Sequence, residues 1–353
     1  MTSLDLDQDI VDLTQALCDI ESVSGNETVL ADAVEEALRR LPHLRVERDG
    51  DTVMARTELG RGERVVLAGH LDTVPVNANF PTHRDGDRLV GLGSCDMKGG
   101  CAVGLRLAAS VPEPSRDITF FFYECEEVEA ERNGLFRLSR TRPEWLTTDF
   151  AVLMEPTGAA VEGGCQGTMR VDVIARGVRA HSARSWMGKN AIHEAGAILA
   201  RLNAYEPRRP EVDGLIFHEG LNAVGINGGV AGNVLPDEVR VSVNHRFAPD
   251  RSEAEAAQFV HDFFEGFETV VSDSAPAARP GLDRPAAAAF VAAIGGEPRP
   301  KFGWTDVARF ATLGVPAVNY GPGDPSTAHT QGEYVDVAEL YACEARIRAW
   351  LMS

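Results

Sequence analysis

Two adjacent glutamates, Glu126 and Glu127, close the apolar run DITFFFYEC, and four other stretches carry residues of the same chemical kind. GHLDTVP holds His70 and Asp72, GLGSCDMKGG holds Asp96, LMEPT holds Glu155 and STAHT holds His329. Carboxylates and imidazoles without thiolates make an oxygen-and-nitrogen donor set suited to a co-catalytic pair of divalent cations, one carboxylate bridging the two. Zinc is the first choice, with cobalt or manganese as substitutes. Neighbouring side chains on a strand point to opposite faces, so a chain that turns at the strand end can aim one glutamate at a metal and the other at a substrate. His70 and Asp72 start on one face, and a ligating imidazole needs a partner on its second nitrogen, which Asp72 is placed to supply. Each motif alone has a plainer explanation: a turn for His-x-Asp, a helix cap for Asp96, an exposed strand end for Glu155, a surface histidine for His329. Their joint occurrence points to the metal site. His43, His83, His193, His218, His245 and His261 lack that company and read as structural or surface residues.

The elements that must hold these residues follow from hydrophobic spacing. RVVLAGHLD, DITFFFYECEE, DFAVLMEPT and PAVNYGPG are short β-type runs, separated in several places by helical segments such as the glycine-broken MKGGCAVGLRLAAS. Such alternation predicts an α/β sheet, whose ligands gather beyond the carboxyl ends of the strands, where all the clusters fall. NETVLADAVEEALRRL reads as an amphipathic helix with Asn26 as its N-cap. From 174 to 279 the chemistry thins out, and two strands (MRVDVIARG, EVRVSVNHRF) and two helices (AIHEAGAILARLNAY, EAEAAQFVHDFFEGF) describe an inserted α+β domain. SDSAPAARPGLDRPAAAA reads as the return linker, so residues 1–173 and 280–353 form one catalytic domain in two parts.

The chain has 353 residues, and its 53 acidic against 34 basic residues give a net charge of −19. That balance disfavours nucleic acid and anionic membranes as partners, and it obliges any anionic substrate to find a local basic pocket. Six cysteines form no CxxC pair and no regular framework, which fits a reducing cytoplasm without disulfides. The acidic N-terminus does not resemble a signal peptide, and no stretch approaches the ~20 apolar residues of a membrane span. GxGxxG and Walker-type loops are absent near the strand ends, which argues against a nucleotide-binding α/β protein.

Taken in order, GHLDTVP, SCDMKGG, YECEEVEA, LMEPT, RAHSARS, GNVLP, HRFAPD and STAHT closely resemble the dinuclear zinc metallopeptidases of the aminoacylase and carboxypeptidase family. The resemblance runs nearly end to end. It implies a zinc-peptidase-like catalytic domain with an inserted dimerisation (lid) domain, and two zinc ions per subunit. By resemblance His70 and Glu155 hold one zinc, Glu127 and His329 the other, Asp96 bridges them, and Glu126 is the general base. It also implies a homodimer in which His181 reaches the neighbouring subunit's site, with Asn233 and Arg246 contacting substrate, and a cis peptide after Asp96. AHSARSWMGKNAIH and SDSAPAARPGLDRP look most like desuccinylases, which implies a small anionic N-succinyl amino-acid substrate; Arg246 and Arg179 are candidate clamps for it, since guanidinium pairs with carboxylate through two hydrogen bonds, although for Arg179 a surface charge is the plainer explanation. The neighbouring possibilities are an acetylornithine deacetylase, another aminoacylase or carboxypeptidase, and a non-catalytic amino-acid-binding relative. The sequence departs from the commoner pattern in Ala-Arg-Ser after His181, in FGWTD before and at Asp306, and in the absence of glycine after Glu126-Glu127.

Overall fold

A computed structural model describes residues 3–353. The chain divides into two compact units. One comprises the residues up to Gly164 together with Pro280–Pro300 and Thr305–Ser353; the other comprises Cys165–Arg279 with Lys301–Trp304.

The first unit is built on an eight-stranded sheet. At its centre Asp117–Tyr123, Arg64–His70, Phe150–Leu153 and Ala317–Asn319 lie side by side and run parallel. All of Asp117–Tyr123 is buried, and so is all of Arg64–His70 after its first residue. Strands covered on both faces have no solvent side to mark with polar residues, which is why they read as unbroken apolar runs. Because the four are parallel, their carboxyl ends share one edge, and the expected ligand-bearing residues cluster at that edge or in loops facing it. The Lys98–Ser110 helix packs on the Arg64–His70 strand. Gly100 permits its close approach, since a Cβ there would collide with the carbonyl of Met154, immediately before Glu155.

The second unit is a four-stranded antiparallel sheet in the order Gly220–Gly228, Glu238–Phe247, Gly167–Arg176, Glu268–Ala275. Glu238–Phe247 alternates between buried and partly exposed positions. Val239, Val241, Val243 and Phe247 share a core with Ala191, Ala195 and Ile198 of one helix and Ala256 and Val260 of another. One covered face and one open face are what that period of two demands. The Glu253–Phe263 helix starts with a capping box between Ser252 and Glu255.

Four sequence expectations change. The helix expected to be capped by Asn26 runs Thr28–Arg39 and is capped by Glu27 without a side-chain hydrogen bond; the Asn26 N–H is used in a turn to Val23. The first boundary of the inserted unit is 164/165 and not 173/174, because Gly167–Arg176 pairs along its whole length with Glu238–Phe247. A four-residue return, Lys301–Trp304, also belongs to that unit. The segment read as a linker is a linker only in its middle: its start completes the Glu268–Ala275 strand and its end opens the Pro285–Ile294 helix.

Candidate metal centre and active site

His70 ends its strand wholly buried, and its ring is fixed from both sides. Nε2 lies 3.2 Å from Asp96 Oδ1. Nδ1 faces the backbone carbonyl of Asp72 at 3.0 Å and the Asp72 carboxylate at 3.5 Å. The partner expected on the second nitrogen is therefore Asp72, with its carbonyl closer than its side chain. The Asp72 carboxylate has further work: Oδ1 accepts the N–H of Glu126 at 3.0 Å, and Oδ2 accepts the N–H of Glu127 at 3.1 Å and the hydroxyl of Ser24 at 2.7 Å. Glu27 Oε1 accepts the preceding N–H, that of Cys125, at 3.1 Å. Three consecutive amides are thus held by two buried carboxylates. Cys125 itself has φ +58°, the left-handed turn that ends the strand and lets the two following glutamates diverge.

Asp96 follows a glycine-rich turn, its peptide to Met97 is cis, and its carboxylate faces both imidazoles: Oδ1 lies toward His70, and Oδ2 lies 3.4 Å from His329 Nε2. His329 Nε2 is also 2.7 Å from Glu127 Oε1. Ligand atoms of His70, Asp96 and Glu127 lie within 4.8 Å of one another. Glu155, buried just beyond the Phe150–Leu153 strand, stands outside that closest group yet near enough for its charge to act on Glu126.

The proton affinities follow from this crowding. Burial pushes Glu126 well above the usual carboxylate range; the charge of His70 opposes that, while Glu155, Glu127 and Asp306 add to it. Burial and Asp96 likewise raise Glu127 against the pull of His329. Burial would raise Asp96 too, but hydrogen bonds from His329 and His70 outweigh it and hold this carboxyl well below its ordinary value. Hydrogen bonds to Asp96 and Glu127 push His329 up to about 10. His70 is raised well above its ordinary value despite burial, by Asp72 and Asp96. The imidazoles of His70 and His329 are thus set among carboxylates that repel one another, and divalent cations fit the same field and the same donor atoms.

Sequence reading missed Ser24, whose hydroxyl donates to the Asp72 carboxylate, and Glu27 and Glu333, whose carboxylates accept backbone N–H groups beside the site residues. Burial pushes the Glu333 carboxyl up to about 7. Asp306, singled out only as part of an unusual motif, is fully buried, and its carboxylate accepts from Asn133 Nδ2 at 2.8 Å. These residues stand in mixed or polar stretches such as SVSGNETV and HTQGEYVD, where no spacing marks them.

In the second unit, Ala180–His181 pairs with Val234–Leu235, and the Asn233 carbonyl accepts the Ser182 N–H at 2.9 Å, so His181 and Asn233 are neighbours. His181 is exposed, and its Nδ1 accepts the N–H of Ala183 at 3.0 Å. Arg179 is paired with Asp237 on the surface at 2.7 Å. Arg246 lies on the Glu238–Phe247 strand, its Nε donating to Asn244 Oδ1 at 3.2 Å. His193 is exposed on its helix, while His245 is buried between Phe247 and Phe259.

Residues 66–353, which span His70, Asp96, Glu127, Glu155 and His329, match the model of peptidase family M20/M25/M40. The chain belongs to this peptidase family. Two M20/M25/M40 relatives align over almost their whole length. A putative succinyl-diaminopimelate desuccinylase of Mycobacterium tuberculosis is 53% identical over 351 residues, covering 99% of both chains. A succinyl-diaminopimelate desuccinylase of Corynebacterium glutamicum is 45% identical over 359 residues, covering 99% of this chain and 97% of that one. The fold is shared with an M20 family metallo-carboxypeptidase from Sulfolobus solfataricus, at a TM-score of 0.81, 15% identity, and coverage of 98% and 99%. Among the described residues, no helix is long and apolar enough to cross a membrane.

Proposed function

We propose that this M20/M25/M40 member is a metal-dependent amidohydrolase that cleaves N-succinyl-L,L-2,6-diaminopimelate to succinate and L,L-2,6-diaminopimelate, a step of diaminopimelate and lysine biosynthesis. The near full-length identity to two proteins of that name supports the substrate. The observation that carries the chemistry is the Asp96 carboxylate with one oxygen toward each imidazole, as a bridging ligand requires.

In this reading His70 and Glu155 hold one zinc, Glu127 and His329 the other, and Asp96 is shared. Divalent cations held by these residues would supply Lewis acidity, lowering the pKa of a water toward about 7 and polarising the acyl carbonyl. Glu126 accepts the proton of the attacking water and returns it to the departing nitrogen. Its raised proton affinity suits a group that must do both. Asp72 fixes the His70 ring and, through two backbone N–H groups, the directions of Glu126 and Glu127. His181 supplies a hydrogen bond to the carbonyl oxygen as charge develops on it, delivered to the partner's site in a homodimer. The substrate carries more carboxylates than ammonium groups, so a chain of net charge −19 needs local cations. Arg246, and Arg179 if it exchanges its Asp237 ion pair, would clamp substrate carboxylates, a guanidinium pairing with carboxylate through two hydrogen bonds, and Asn233 would contact the substrate as well. The six cysteines are all buried free thiols, which suits a cytoplasmic enzyme.

The reading is tested by stripping the protein with chelator, reloading it with zinc, cobalt or manganese, and screening succinyl, acetyl and glutamyl amino acids for amide hydrolysis. Metal-dependent release of succinate is the expected result. Hydrolysis by the stripped protein, or none by any metal-loaded form, contradicts the proposal.

A further inference from the structure

Glu333 lies four residues beyond His329, in the same loop, and is only 1% exposed. Its Oε1 accepts two consecutive backbone N–H groups, those of Cys95 and Asp96, each at 3.1 Å. The same residue is tied through its main chain: its carbonyl accepts the Gly91 N–H at 2.8 Å, and its own N–H donates to the Thr330 carbonyl at 3.3 Å. Asn79 Nδ2 donates to that Thr330 carbonyl as well. Immediately afterwards Tyr334–Asp336 pairs antiparallel with Arg88–Val90. The turn that presents Asp96 and the loop that presents His329 are therefore stitched together, and Glu333 is the side chain at the seam.

We propose that Glu333 is a positioning residue of the metal centre, its buried carboxylate clamping the Cys95-Asp96 backbone to the His329 loop and so setting the spacing of two metal-facing side chains. The inference rests on the metal-site reading above. Asp96 and His329 come from segments more than 200 residues apart, and His329 sits at φ +61° in a loop of Gly, Pro, Ser and Thr. Both lie in turns, outside the eight-stranded sheet and beyond the ends of the Arg88–Val90/Tyr334–Asp336 pairing. Asp96 Oδ2 nevertheless lies 3.4 Å from His329 Nε2. A metal site tolerates only about 0.5 Å of slack in its donors, and a buried acceptor that fixes the Asp96 amide from the His329 side supplies that precision directly. The acceptor oxygen matters here more than the negative charge, because both of its donors are neutral amides.

The test uses the full chain carrying Glu333→Ala, Glu333→Gln or Glu333→Asp. Zinc affinity is read by competition with a chromophoric chelator, folding by circular dichroism and melting of the stripped proteins, and kcat and KM on succinylated diaminopimelate. Glu333→Ala is expected to bind its weaker zinc about 10–100-fold less tightly, the usual cost of losing an outer-shell partner. Its kcat at saturating zinc should fall by about tenfold with KM changed less than about twofold. Glu333→Gln keeps the acceptor oxygen and stays within about threefold of the parent, whereas Glu333→Asp, one methylene short, follows Glu333→Ala. A folded Glu333→Ala with parental zinc affinity overturns the proposal, as does a Glu333→Gln no better than Glu333→Ala. Should Glu333→Ala fail to fold, equal zinc affinities in the Gln and Asp variants overturn it. If the parent does not hydrolyse the succinylated substrate, the substrate reading fails while the zinc titration still decides the role of Glu333.

Discussion

Replacing Asp72 by Asn is the sharpest probe of how the two glutamates are aimed. The Asp72 carboxylate is fully buried and accepts three hydrogen bonds: from the amides of Glu126 and Glu127 at 3.0 and 3.1 Å, and from the Ser24 hydroxyl at 2.7 Å. Asparagine keeps the shape but turns one acceptor oxygen into an NH₂ donor. Whichever way the amide lies, at least one buried backbone N–H meets a donor, at about 1–3 kcal/mol, and the bonds that remain lose their charge assistance. The sum is about 3–5 kcal/mol. For a unit of this size each kcal/mol shifts the melting temperature by about 2–4 °C, so a fall of about 10 °C is expected in the metal-stripped protein. Ser24→Ala removes one of the three donors and leaves Asp72 intact, so about 1 kcal/mol, or about 3 °C, is expected from it. With the peptide at Glu126 and Glu127 no longer pinned, kcat should fall more than KM rises. Thermal melts of stripped protein beside steady-state kinetics read both effects. A melting temperature for Asp72→Asn within about 2 °C of the parent, with unchanged kcat, would refute the assigned role.

Glu126→Gln should retain both metals and lose most of kcat, whereas Glu127→Gln should weaken one metal site; metal analysis beside kinetics separates them, and normal turnover by Glu126→Gln removes it as the base. His245 has its proton affinity lowered to about 4, chiefly by burial, so the unfolded chain binds the extra proton between about pH 6.5 and 4. Stability of the inserted unit should therefore fall as pH drops through that window, by at most about 3 kcal/mol, and Urea melts at pH 7 and pH 5 should show His245→Leu losing that dependence. Mixing inactive His181→Ala with inactive Glu126→Gln should restore part of the activity if His181 serves the partner subunit, and demonstrated subunit exchange without recovery counts against that arrangement.

The parts of the fold that the sequence made legible are those governed by short-range pattern. The parallel strands announce themselves as apolar runs because both faces are buried, and the residues beyond them are chemically loaded because ligands gather at that edge. Gly220–Gly228 left no comparable signal: it is an edge strand, mostly exposed and rich in glycine and asparagine, with no buried face to impose alternation. Glu268–Ala275 was hidden for a similar reason, its Ser-Asp-Ser end reading as a linker. Asn26 satisfied the local rule for a cap, yet the helix begins two residues later and Glu27 turns to the Cys125 amide 98 positions away. Glu333 grips a turn 238 positions from it. Such acceptors are chosen by tertiary geometry, and nothing in their own neighbourhood marks them. The candidate ligands stood out in the sequence because several chemically matched groups recur at predictable strand ends, and the fold brings His70, Asp96 and Glu127 together, whereas each of the supporting carboxylates occurs once, without periodicity.

Metal-dependent hydrolysis at a site that pairs the succinyl carboxylate is the proposed activity. A site that pairs such a group can reject an analogue lacking it by about 10⁴-fold, because the groups that met it are then left without their partner. The most direct test is kcat/KM of the zinc-loaded chain for N-succinyl-L,L-2,6-diaminopimelate and for acetylornithine, measured side by side. A preference for the succinylated substrate of about that order is predicted; comparable values, or a preference for acetylornithine, would contradict the assigned substrate.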